Sequence, residues 1–448
     1  MKSFVVGIIS AMLLAIGGVA IAQTENKYQT NPSAIKYIDN GTIKVGINLD
    51  LGGAITYVAK SRNAQNIINS NDWGRQIQMS HYSGPVPFAP NGKAPRPDWA
   101  GLGWNPIQSG DCYGNRSKVT YFHSSGREIV VRCIPMQWPL NNEPGECEFE
   151  CRLTLDGSVV HVVSSMQNHR IDHTQWQARD QELPAIYTNG PWYRLMTYSG
   201  DKPFSGGALT QIPAVFPWNG WQATENWAAL VNEKDQGIGI FEPQSYHFIG
   251  GFAGKPGAGG EKDPPTGYIA PLQIEILDYN IKYSFRYDLI VGDLKEIRDY
   301  VYKHASHLSP PEYTFATDRQ HWHYTNAVDK GWPLQNSELS VSLEKANPQL
   351  VGPSSFWLAA DAPVLHVHAA LPPEVKRIRV FWTRSDTPGF NETCVRNFDV
   401  VGDGKYREYT FRLADSSEYD GSITGIRLDP ETSGLPGAFA RFRSIGFK

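Results

Sequence analysis

CEFECRLTLDGSVVHVVSSM, residues 147–166, decides the fold. Apolar and polar side chains alternate from Cys147 to Leu155 and again from Val159 to Met166, the period-two signature of half-buried strands. Between them Asp156-Gly157 supplies a two-residue turn with the positive φ that matches strand twist, so the two runs predict an antiparallel hairpin. Further alternating or β-branched runs lie at Thr42 to Asn48, Ala54 to Ala59, Lys118 to Phe122, Ile129 to Ile134, Ile269 to Leu277 and Ile281 to Val291. Asp278-Tyr279-Asn280 predicts a turn closing the last two into another pair. The expected class is all-β, with long strands meandering into a broad N-terminal sandwich.

One helix interrupts the pattern. Asp293-Leu294-Lys295-Glu296 has the form of a capping box, and Leu294, Ile297, Val301 and His304 recur at helical spacing. Pro310-Pro311 then end the periodicity, which places a linker at 306–320 after a first domain at 23–305. Shorter runs at Leu339 to Leu343, Ser355 to Ala359, Val364 to Ala369, Ile378 to Thr383, Arg407 to Leu413 and Ile423 to Leu428 predict a jelly-roll β-sandwich over 321–448. Gly250 to Gly267 holds seven Gly and three Pro. It reads as either a mobile flap over a cleft or a disordered surface loop.

At the N-terminus, Lys2 precedes an apolar run ending in Ala20-Ile21-Ala22, the pattern of a signal peptide over 1–22. The mature chain is expected to be secreted or periplasmic, with no membrane span. Lys and Arg number 41 against 45 Asp and Glu, and no basic run supplies the footprint of a nucleic-acid binder. Of the five cysteines, Cys147 and Cys151 are too far apart along one strand to bridge each other; one disulfide elsewhere and buried free thiols both remain open.

Nine of the thirteen tryptophans fall between Trp73 and Trp227, in segments rich in Gly and Pro and interleaved with polar side chains. Indole faces stack on the C–H faces of pyranose rings while carboxylates, amides and guanidinium groups hold the hydroxyl rims. That mixture predicts a carbohydrate-active protein. Glycosidic cleavage needs a protonated carboxyl at the leaving oxygen and a second carboxylate as base or nucleophile. Glu182, in a charged patch running into Leu183-Pro184-Ala185-Ile186-Tyr187, and Glu225, bracketed by Trp221 and Trp227, are the candidates. Trp73, Arg75, Gln78, His81, Tyr82, Trp104, Asn105, Asp111, His173 and Tyr187, with Trp221 and Trp227, are the expected sugar-binding set. A lyase would instead take a proton from a uronate, with Arg75, His81 and Tyr82 or His173 and Tyr187 in the required roles. A third reading is a binding protein that captures glycans without turning them over. His169 and His173 lack the Glu of a zinc-protease helix, and His321/His323 and His366/His368 each share a strand face, so neither metal nor cofactor is expected.

Leu51-Gly52-Gly53-Ala54-Ile55, followed by Asn69, Asp72 and Gly74-Arg75-Gln76-Ile77-Gln78, resembles the opening of galactose-mutarotase-like domains. The resemblance implies a β-supersandwich and a sugar-binding role for Arg75. The chain departs from the family pattern in showing no equivalent of its paired catalytic histidine segments, and polysaccharide lyases and the non-catalytic domains of glycoside hydrolases also use the scaffold, so the resemblance does not choose among hydrolase, lyase and epimerase. Ile423-Thr424-Gly425-Ile426-Arg427-Leu428-Asp429-Pro430 and Ser444-Ile445-Gly446-Phe447 are similar to the closing strands of galactose-binding-like jelly rolls, which implies an accessory role for the second unit.

Overall fold

A computed structural model describes residues 28–305 and 309–447. The chain is all-β apart from one α-helix and short 3-10 turns. The expected signal peptide lies outside the described residues. Among the described residues no helix is long and apolar enough to cross a membrane.

The hairpin at 147–166 forms as its turn dictates: Cys147–Asp156 pairs antiparallel with Val159–Asn168, Asp156 opposite Val159, with Gly157 at φ +52°. It belongs to a nine-stranded sheet in the order Thr210–Ile212, Arg194–Thr197, Trp227–Val231, Gln236–Phe241, Lys282–Asp293, Val159–Asn168, Cys147–Asp156, Glu128–Ile134, Lys118–Ser124. Facing it is a ten-stranded sheet, ordered Ile35–Asp39, Ile43–Asn48, Ala54–Lys60, Ile77–Ser80, Arg179–Asn189, Thr266–Glu275, His247–Ala253, Asn219–Gln222, with Pro106–Ile107 and Met136–Gln137 as side branches. Alternation sends Ile77, Met79, Leu183 and Ile186 of the one and Phe149, Cys151, Leu153 and Val162 of the other into a shared core. Gly52 turns the chain between two of these strands at φ +58°, where a Cβ would lie 2.0 Å from the Gln108 carbonyl oxygen.

One expectation changes here, and the alternative left open for the cysteines closes on buried thiols. Asp278-Tyr279-Asn280 does not close a hairpin: Thr266–Glu275 pairs within the ten-stranded sheet and Lys282–Asp293 within the nine-stranded one, so the segment crosses between layers. Polar turn residues mark a change of direction but carry no information about which sheet receives the next strand. Cys133, Cys147, Cys151 and Cys394 are free, buried thiols, and Cys112 is buried as well.

The helix spans Leu294–His304 with both arms of the Asp293/Glu296 capping box made, and buries Ile297 and Val301 against the nine-stranded sheet. The remaining strands form a five-stranded sheet around Phe439–Phe447 and a six-stranded sheet around Ser422–Pro430, sharing a second core. Glu312–Thr314, within the predicted linker, pairs with Phe439–Phe447. Arg319 is buried and holds Asp278 of the crossover at 2.5 Å and Asp329 at 2.5 Å, tying the second unit to the first.

Candidate active site on the outer face of the ten-stranded sheet

Arg179–Asn189 carries a β-bulge that shapes this face. Glu182 opposes Ser80 and Ala185, three residues on, opposes Gln78, two residues back, so one extra residue is accommodated around Leu183-Pro184. Proline suits the position because it has no N–H to leave unpaired in the ladder. The bulge lets Leu183 and Ile186 both enter the core while Glu182, Ala185 and Tyr187 line the outer face.

Across the next strand Tyr187 lies opposite Tyr268, with ring centroids 4.8 Å apart, and Trp218 packs on Tyr268 at 5.0 Å. The Tyr268 hydroxyl donates to Glu182 Oε1, and the Ser80 hydroxyl donates to that of Tyr82 at 2.9 Å. Burial pushes the Glu182 carboxyl above the usual carboxylate range, opposed by hydrogen bonds from Tyr268, Tyr82 and Ser80, which favour the ionised form. Burial holds the Tyr82, Tyr187 and Tyr268 hydroxyls well above their ordinary value, so they stay protonated. Gln78, Tyr82, Asn105, Glu182 and Tyr187, together with Ser80 and Trp138, line one cavity of about 30 Å³. That volume holds a few atoms, not a pyranose ring. A sugar would lie over the aromatic face and send one arm in.

The same row of the sheet carries a second titratable group. Leu272 pairs with Glu182 on one side and with His247 on the other. With strands about 4.8 Å apart, the Glu182 and His247 backbones stand roughly 10 Å from each other on one face. His247 Nε2 lies over Gly220, where a Cβ would sit 2.9 Å from it. Burial lowers the His247 pKa, partly offset by Asp180, so the imidazole is neutral at pH 7. Neither His247 nor Tyr268 was singled out from sequence: Ser245-Tyr246-His247-Phe248 matches no spacing rule, and Tyr268 sits at the edge of an apolar run.

Glu225 is a correction. It lies against the helix on the outer side of the nine-stranded sheet, fully buried, and its oxygens accept from Arg298 at 2.8 and 3.1 Å, Tyr302 at 2.8 Å, Trp227 Nε1 at 3.0 Å and the Phe204 amide at 2.9 Å. With every lone pair engaged it anchors the helix, and it does not meet Glu182. The indole bracket that drew attention to it reflects packing: Trp73, Trp104, Trp138, Trp192 and Trp227 are buried, because Gly and Pro interrupt hydrogen-bonded ladders without excluding a side chain from the interior. Trp221 stacks on Phe248 at 6.0 Å and packs on the core.

Arg75, His81 and Asp111 are likewise committed to the fold, and His173 lies on the surface. Arg75 bonds Asp72 at 3.0 Å and the Pro264 carbonyl at 2.7 Å, pinning the Gly-rich loop, which Asn69, Ser70 and Lys262 also hold; its outer ends are strand. His81 sits between the sheets against Phe149 and Tyr283, and burial pushes its pKa down to about 4. Asp111 accepts from the Tyr113, Asn115 and Asn142 amides, organising a turn. His173 is exposed and stacks on Tyr279 at 3.8 Å. Among the described residues no cluster of three or more His, Cys, Asp or Glu is placed to hold a metal.

No family model matches the chain, and no curated protein matches it. Similar solved structures include a galactose mutarotase-like protein from Lactobacillus casei, 11% identical, covering 57% of this chain and 99% of its own, at a TM-score of 0.36. A galactose mutarotase related enzyme from Lactobacillus acidophilus is 12% identical over 57% of this chain and 97% of its own, at 0.34. The 4-alpha-glucanotransferase from Thermococcus litoralis is 10% identical over 58% of this chain and 37% of its own, at 0.32.

Proposed function

We propose that this is a secreted carbohydrate-active enzyme that opens and recloses an aldose ring on the outer face of the ten-stranded sheet. One observation carries the reading: Glu182, with its pKa raised, and His247, with its pKa lowered, stand in one row beside the Tyr187–Tyr268–Trp218 aromatic surface. Oppositely displaced titratable groups are what acid–base chemistry at neutral pH requires. Neutral His247 takes the proton of the anomeric hydroxyl; protonated Glu182 gives one to the ring oxygen as the C1–O5 bond breaks. Rotation about C1–C2 and the reverse transfers close the other anomer, so protons balance over the cycle. Hydrolysis by paired carboxylates has less support, since Glu182 is the one carboxyl lining the cavity and Glu225 is saturated elsewhere. A lyase has less still, because Arg75 is spent on Asp72 and Pro264.

The test is anomer exchange of freshly dissolved D-galactose, D-glucose and L-arabinose followed by polarimetry. Glu182→Gln and His247→Gln should each lower kcat by about 10²- to 10⁴-fold. Wild-type protein that leaves every rate at the buffer value, or that releases new reducing ends from polysaccharide, overturns the reading.

A further inference from the structure

Three tyrosine hydroxyls surround Glu182, and two of them are spent inside the protein. Tyr268 donates to Glu182 Oε1; Tyr82 accepts from Ser80 at 2.9 Å and hydrogen-bonds Glu182 in turn. The third, Tyr187, makes no hydrogen bond among the described residues, and its oxygen is not one of the sealed, unpartnered polar atoms of the interior. The residue is 8% exposed and lines the same cavity as Glu182. A largely buried ring thus brings its one polar atom to a point a ligand can reach, where the fold has no use for it.

The stacking of two rings fixes where that oxygen stands. Tyr187 and Tyr268 are directly opposite on neighbouring strands, with centroids 4.8 Å apart and planes 34° from parallel. Tyr268 starts four residues from Leu272, the partner of Glu182, so its ring leans along the sheet to span a backbone separation of about 13 Å and reach that carboxyl. Tyr187, stacked on it, leans the same way. Its hydroxyl therefore comes to rest roughly 5 Å from that of Tyr268, about two hydrogen-bond lengths. One ligand oxygen fits between Tyr187 and the Glu182–Tyr268 pair and touches both sides. Burial, then the Glu182 and Asp72 charges, hold the Tyr187 hydroxyl well above its ordinary value, so it donates a hydrogen bond without surrendering its proton.

We propose that Tyr187 is a catalytic residue, its O–H donating to the ring oxygen of the sugar while Glu182 protonates that same oxygen, so that the two bracket O5 as the C1–O5 bond breaks. The inference rests on the reading that the outer face opens an aldose ring, and it adds to that reading a group the acid–base pair leaves out. The ring oxygen has two lone pairs, one for each partner. As the bonding electrons move onto O5 its negative character grows, and a donor already in place binds it more strongly than in the ground state. Glu182 supplies the one proton transferred to O5. Tyr187 keeps its own, so the proton count of ring opening by Glu182 and His247 is unchanged.

Tyr187→Phe removes the hydroxyl alone. In anomer exchange of D-galactose, D-glucose and L-arabinose by the full-length protein, it should lower kcat by about 10²- to 10³-fold and move KM by less than about threefold, since the bond counts most in the transition state. The limb of the pH–rate profile that reports Glu182 should stay in place, because Tyr187 is not one of the hydrogen-bond partners of that carboxyl. The thermal midpoint should not fall, since no internal bond is lost. A wild-type rate in the folded variant overturns the role while leaving ring opening intact. A displaced Glu182 limb makes Tyr187 a support for the carboxyl and overturns its contact with the sugar. Loss of folding reveals an internal partner for the hydroxyl and overturns it too. Absence of anomer exchange in the wild type overturns both the role and the reading beneath it.

Discussion

Glu242 makes stability depend on pH in a way that one substitution should remove. It follows the strand Gln236–Phe241, is 1% exposed, and accepts from the Gln244 amide at 3.0 Å. His321 and Arg286 face it with positive charge, and Tyr283 and Tyr246 also lie in its field; His321 itself bonds Glu275 at 2.9 Å. Burial dominates and pushes the carboxyl from 4.5 to about 7. An acid whose folded value is raised contributes its full stability below the unfolded value and loses it as pH climbs through the folded one. At about 1.4 kcal/mol per pH unit, the loss between pH 4.5 and 7 is about 3 kcal/mol. Burial works to lower the His321 pKa, but the hydrogen bond and charge of Glu275, with the charge of Glu242, raise it on balance, so its contribution is also lost as pH rises, above 6.5. Glu242→Gln keeps an oxygen for the Gln244 amide and has no charge to desolvate. Urea denaturation should show the variant within about 1 kcal/mol of wild type at pH 5 and exceeding it by about 3 kcal/mol at pH 8, the residual slope belonging to His321. Parallel losses in both proteins between pH 5 and 8 would show that Glu242 is not buried as described.

Tyr268→Phe removes a hydrogen bond that favours ionised Glu182, so the limb of the pH–rate profile that reports Glu182 should move to higher pH; an unmoved limb takes Glu182 out of the chemistry. Glu225→Ala strands Arg298 beside Tyr302 and should destabilise the fold by about 3–5 kcal/mol in chemical denaturation while anomer exchange at 20 °C persists, and loss of exchange in folded variant protein would return Glu225 to the site. Cys133, Cys147 and Cys151 are buried, with pKa values pushed up by desolvation, so a thiol reagent should label them only after denaturant is added.

What the sequence made legible is local. The hairpin at Asp156-Gly157 and the helix after Asp293 follow from contacts within a few residues, and both formed with the expected caps and turns. Gln78, Tyr82, Asn105, Glu182 and Tyr187 meet in one cavity because three short stretches each present alternate residues to the same outer face. The role of Glu225 is not legible locally because its partners Arg298 and Tyr302 lie 73 and 77 residues away, and nothing near it reports them. The burial of the tryptophans is hidden for a related reason: a broken local pattern does not reveal what packs on a ring from another layer. His247 enters the site through sheet register, which links it to Glu182 by way of Leu272, and register is a property of three strands together.

The crossover at Asp278 limits how far the two halves of the molecule can be treated as portable modules. Its carboxylate receives its counter-ion from Arg319, which the chain supplies after the helix has ended. Excising the first half would deposit an uncompensated anion in its interior, and grafting the second onto another scaffold would carry a guanidinium with half its ligands missing. Inheritance of the pair as a single piece follows from electrostatics rather than from the sheets themselves.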